Sequence, residues 1–112
     1  MDYSIEKQAG VVIVSILGSL DIETSPQMAQ IISRQVSSGE MRLVVDLSEV
    51  DYSSSAGLRA LLGAVKEVRR NGGDLRLCGA NRNVKKVLEL SGFTSIVKYY
   101  ETTGDAVRSF AS

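Results

Sequence analysis

Short β-branched runs alternate with helix-period stripes along this chain, and that alternation restricts the possible folds more than any other feature. Val11-Val12-Ile13-Val14-Ser15-Ile16-Leu17 is too short for a buried helix of normal length and meets Gly18 at its end, so it predicts a central strand. Before it, Tyr3-Ser4-Ile5-Glu6 alternates apolar and polar side chains and Gln8-Ala9-Gly10 supplies a turn, which predicts a hairpin onto that strand. Met41–Leu47 has an apolar middle suited to burial on both faces, Leu75–Cys78 reads as a further buried strand, and Ile96-Val97-Lys98 as a short last one.

Between these runs the period changes from two to 3.6 residues. Ser25 is placed to cap a helix and Pro26 to occupy its first position, with Met28, Ile31, Ile32 and Val36 on one face and Gly39 at the stop. A longer helix follows the serine cluster at 53–55, its inward stripe read as Leu58, Leu61, Leu62, Val65 and Val68 and its outward face as Arg59, Lys66, Arg69 and Arg70. Val84, Val87 and Leu88 predict a short helix closed by Ser91-Gly92, and a final helix starts near Thr103 and buries Val107 and Phe110. Strands alternating with helices imply right-handed crossovers. The expected class is α/β: one mixed, mostly parallel sheet of about five strands with an antiparallel N-terminal edge, and about four helices.

Composition removes several kinds of chemistry. The chain of 112 residues is the size of one domain, and we read 1–112 as a single unit. It has no histidine, which takes away the commonest general base and the commonest transition-metal ligand; no metal, no cofactor and no catalytic residue is expected. Lys+Arg and Asp+Glu stand at 13 each, so the overall electrostatic footprint of a direct nucleic-acid binder is missing. Phe93, Tyr99 and Tyr100 are too scattered to form a base-stacking platform. Cys78 stands alone, without a neighbour to activate it or complete a site, and is read as a buried strand thiol. No apolar stretch approaches a membrane span and Met1-Asp2-Tyr3-Ser4 lacks a basic leader. A cytoplasmic protein, monomeric and with no membrane insertion, is expected.

One stretch stands apart from this background: Val44-Val45-Asp46-Leu47-Ser48-Glu49-Val50-Asp51-Tyr52-Ser53-Ser54-Ser55-Ala56-Gly57-Leu58. It is expected to run from the end of a buried strand, through a short polar loop, into the first turn of an amphipathic helix, and the carboxyl ends of strands are where open α/β sheets place their sites. On the residues alone two readings stand. The serines can be a cap, with Asp46, Ser48 and Asp51 as ordinary loop formers, or they can be a site. A nucleophile elbow would need G-x-S-x-G and a base, and neither is present; S-x-x-K, G-x-x-x-x-G-K-[ST] and G-x-G-x-x-G are absent as well. A serine at a helix N-terminus without a base is better suited to receive a phosphate than to attack a substrate.

Gly18-Ser19-Leu20-Asp21 after the first long strand, then Val44-Val45-Asp46-Leu47-Ser48 and Tyr52-Ser53-Ser54-Ser55-Ala56-Gly57-Leu58, resemble the STAS domain family, specifically the bacterial stand-alone anti-sigma factor antagonists. The resemblance covers essentially the whole chain. It implies the STAS fold and a phosphoprotein of transcription regulation that works by partner switching. The unphosphorylated form would bind an anti-sigma factor serine kinase and free a sigma factor, phosphorylation would break that complex, and a PP2C-type phosphatase would reset it. By the match the acceptor is Ser55. Many members carry Asp just before it where this chain has Ser54, which makes Ser54 a second candidate. The implied partner-binding set is Asp21, Ser53, Ser54, Ser55, Ala56, Gly57, Leu58 and Arg59. Alternatives within the fold are a stressosome-like scaffold or the partner of a lipid-transport ATPase; from another class, a nucleotide-binding or enzymatic domain.

Overall fold

The β-branched runs pair into one sheet and the amphipathic stretches cover it, as seen in a computed structural model that describes residues 2–111. The elements are β1 (Asp2–Gln8), β2 (Val11–Leu20), α1 (Ser25–Ser37), β3 (Arg42–Ser53), α2 (Ser55–Arg70), β4 (Asp74–Cys78), α3 (Arg82–Leu90), a 3-10 turn (Phe93–Ser95), β5 (Tyr99–Tyr100) and α4 (Thr103–Arg108). The five strands lie in the order β1-β2-β3-β4-β5, with β1 antiparallel to β2 and all other pairs parallel. This is the mixed α/β sheet with an antiparallel N-terminal edge expected from the alternation.

Strand alternation sends side chains to two separate cores. Val12, Val14, Ile16 and Leu20 of β2, with Leu43, Val45 and Leu47 of β3, pack beneath α1, α2 and α3. The opposite face carries Val11, Ile13, Val44 and Cys78, covered by Ala106 and Val107 of α4, with Phe110 half-buried against them. No helix of the described residues is long and apolar enough to cross a membrane.

Four local expectations are corrected. Ser25 is not the cap of α1: Thr24 holds that position, Ser25 is the first helical residue, and its hydroxyl donates to the Asp21 carbonyl. The last strand is Tyr99–Tyr100 and not 96–98, because Ile96 and Val97 N–H groups still bond back to Phe93 O and keep the chain turning. The inward stripe of α2 is Gly57, Leu61, Ala64, Val65 and Val68; Leu58 and Leu62 are half-buried and line a groove of about 180 Å³ with Phe93 and Ile96. Finally, residues 48–53 are not a loop but the last part of β3, paired with β2 as far as Leu20–Ser53.

Candidate functional site

The longer β3 brings the serine cluster to a sharp strand-to-helix junction at which Ser54 alone separates β3 from α2. Ser53 closes the strand. It is 6% exposed and its hydroxyl donates to Ser54 O, so its side chain belongs to the interior. Ser54 has an extended backbone and is the cap of α2, its Oγ accepting from Gly57 N at 3.2 Å. Ser55, the first residue of α2, is exposed, and its hydroxyl enters no hydrogen bond among the described residues. Of three consecutive hydroxyls, one is buried, one is engaged as a cap and one is open.

Gly57 lets the junction sit this close to the neighbouring strand. A Cβ there would stand 2.6 Å from Leu20 O and 2.8 Å from Ser53 Oγ, distances no side chain tolerates. Leu20 O also accepts from Ser54 N at 2.8 Å, which fastens the end of β2 to the start of α2.

That bond draws Asp21 to the site, because Asp21 follows Leu20 directly. Its Oδ1 accepts from the N–H groups of Thr24 (3.1 Å) and Glu23 (2.9 Å), and these backbone donors, Thr24 foremost, hold the carboxyl below its usual pKa. Thr24 Oγ1 in turn accepts from Asp21 N and donates to Ser19 O. Asp21 is thus the organiser of the β2–α1 turn, with Oδ2 outside these bonds. Ile22 at the tip of that turn is 77% exposed, and Tyr52, which lies opposite Ser19 in the sheet, is 58% exposed.

The structure therefore brings the implied partner-binding set, Asp21 and residues 53–59, to one end of the sheet, with unequal access. Ser55 and Arg59 are exposed, Asp21, Ser54, Ala56 and Leu58 are half-buried, and Ser53 and Gly57 are buried. Three residues were missed. Ile22 carries no pattern signal and Tyr52, though part of the quoted motif, was not singled out for its side chain, since exposure of an isolated apolar side chain is a tertiary property. Asn81 had one, an Asn three residues before a helical Val: its Oδ1 accepts from Val84 N at 2.8 Å as the cap of α3, while its Nδ2 donates to Val50 O at 3.1 Å and ties α3 to the end of β3. Among the described residues no group of His, Cys, Asp and Glu has the geometry to hold a metal ion.

Residues 2–106 match the STAS domain. The chain is 36% identical to the Bordetella bronchiseptica protein BtrV, named as an anti-sigma factor antagonist, over 98% of this chain and 95% of that one. An anti-sigma factor antagonist from Mycobacterium paratuberculosis superimposes with a TM-score of 0.90 at 26% identity, covering 99% of this chain and 94% of the other. The phosphorylated form of the Bacillus cell fate determinant SpoIIAA shares the fold, with a TM-score of 0.72 at 20% identity over 96% and 98% of the two chains. A match over nearly the whole length, on the same strand, junction and helix that build the site, makes this chain a member of the STAS domain family.

Proposed function

We propose that this protein is an anti-sigma factor antagonist of the bacterial cytoplasm whose binding to an anti-sigma serine kinase is switched off by phosphorylation of Ser55. The names of its relatives support the antagonist role, and the observation that carries the switch is the open hydroxyl of Ser55 beside the engaged Ser54. A phosphoserine adds about −1.5 to −2 charges. At the first position of α2 it meets the positive end of the helix dipole and leaves the Ser54 cap in place, so the helix persists and the effect falls on the partner. A partner surface fitted to a neutral hydroxyl among Asp21, Ile22, Tyr52, Leu58 and Arg59 then faces a dianion, and the loss of a few kcal/mol of docking free energy is roughly a hundredfold in affinity. A PP2C-type phosphatase would restore the hydroxyl.

Incubation with the anti-sigma kinase and ATP, followed by mass spectrometry, should place one phosphate on Ser55. Ser55→Ala should retain kinase affinity and Ser55→Asp should lower it. Phosphate found only outside residues 53–55, or equal affinity of the two variants, would overturn the reading.

A further inference from the structure

The edge strand β1 pairs with β2 on one side, and among the described residues no strand pairs with its other side; the nearest α1 side chains, Gln27, Gln30, Ile31 and Arg34, line a shallow cavity with Tyr3. All seven of its residues are exposed, and Tyr3 and Ile5 remain 45% and 43% exposed although they lie opposite Ile16 and Val14 of the core strand. Edges of this length are usually blunted by proline, a bulge or charged side chains, lysine above all, and β1 carries only the last of these in Asp2, Glu6 and Lys7. β1 has no proline, and its register with β2 runs without a shift from Asp2–Leu17 to Gln8–Val11. Its charges fall in a particular order, and that order decides what the edge can pair with.

The hairpin turn sets which backbone groups are free. Ala9 and Gly10 have φ of 50° and 79°, the two-residue turn that is closed by a hydrogen-bonded pair, here Gln8 and Val11. Alternation along an antiparallel ladder then directs the N–H and C=O groups of Gln8, Glu6, Ser4 and Asp2 to β2 and leaves those of Lys7, Ile5 and Tyr3 pointing outward.

We infer that β1 is a self-association surface through which two copies of this chain pair antiparallel about a two-fold axis at Ile5, joining their sheets edge to edge. In that register Ile5 meets Ile5, Tyr3 meets Lys7, Ser4 meets Glu6 and Asp2 meets Gln8. The whole strand is used, and no like charges stand opposite one another. The neighbouring symmetric registers fail on charge: an axis at Ser4 sets Asp2 against Glu6, and an axis at Glu6 sets Glu6 against itself. The outward groups of Tyr3, Ile5 and Lys7 each exchange both backbone bonds with the second copy, and the Lys7 ammonium, already held 2.8 Å from Glu40, lies beside the partner's Tyr3 ring. The second copy, with its own Tyr3, Ile5 and Lys7, supplies the one complementary edge the charge order selects. The inferred pairing departs from the expected monomer. It uses no residue of the β3–α2 junction and stands independently of the Ser55 switch.

Sedimentation of the full chain should show a monomer–dimer equilibrium. Ile5→Lys, which sets like charges on the axis, should weaken it at least about tenfold. Ile5→Pro should do the same while sparing the β1–β2 ladder, because the lost N–H is an outward one. A chain with Ser4→Cys and Glu6→Cys should form an intermolecular disulfide on oxidation, with buried Cys78 taking no part. Circular dichroism confirms that each variant is folded. A wild-type mass that stays monomeric up to about 1 mM would overturn the inference; so would a dimer that forms no disulfide in the cysteine pair and is indifferent to folded Ile5 variants.

Discussion

A methyl group at position 57 would meet two oxygens, Leu20 O, which the backbone of β2 holds in place, and Ser53 Oγ in the interior. Alanine is the better helix former by about 1 kcal/mol, yet the clash outweighs it. Gly57→Ala is expected to lower stability by about 1–3 kcal/mol in urea unfolding and, on the proposed function, to weaken binding of the proposed anti-sigma partner, since α2 must back away from β2. Cys78 offers a test on the opposite face. Burial, with Asp46 adding to it, pushes its thiol from 9.0 up to about 11, although a hydrogen bond with Thr103 pulls the other way. Between those pH values the unfolded chain gives up its proton and the folded chain does not, so stability falls as pH rises from 9.0 to about 11. Urea midpoints across that window should decline more steeply in the wild type than in Cys78→Ala, and the native thiol should resist alkylation at neutral pH until the protein is unfolded.

At the scale of elements, the helix caps decide which serine is available. Ser54→Ala removes the acceptor for Gly57 N and is expected to cost about 1 kcal/mol, whereas Ser54→Asp, an equally good cap, should stay within a few tenths of wild type. Thermal or urea melts of the two variants separate the role of Ser54 as a cap from a role as an acceptor. Asn81 does two jobs, so Asn81→Ala should cost about 1–2 kcal/mol by freeing Val84 N and unpinning Val50 O. Much of this level was legible in the sequence: the hairpin, α1, α2, α3 and α4 lie where periodicity and stop residues put them. The end of β3 was not. Ser48, Glu49, Asp51 and Tyr52 are exposed while Val50 and Ser53 are buried, so a segment that reads as a polar loop is a strand with one wet side, held by its pairing with β2.

For the molecule as a whole, the unequal cover of the two sheet faces governs where substitutions are felt. Among the described residues three helices lie over one face and α4 alone over the other. Leu61→Ala, beneath α2 at 1% exposure, should cost about 2–5 kcal/mol by equilibrium unfolding and loosen the helix that carries Ser55. The radius of gyration of 12.5 Å agrees with about 13 Å for a compact chain of this length, so the loss would be felt across one cooperative unit. A phosphate placed on Ser55, by contrast, should leave the unfolding midpoint unchanged or slightly raised, because it touches no core contact and meets the positive end of α2.

The sequence by itself determined the kind and order of the elements and the position of the serine cluster, because strand and helix periods, caps and stops act over a few residues. Tertiary structure alone decided which serine is open, how far β3 runs and which face of α2 turns inward. These three depend on a partner distant in the chain, Leu20 for Ser54 and Gly57, β2 for the end of β3 and the sheet for α2, while the free groups of β1 follow from the backbone of the turn at Ala9-Gly10. Local preference cannot encode a contact whose other half is supplied elsewhere.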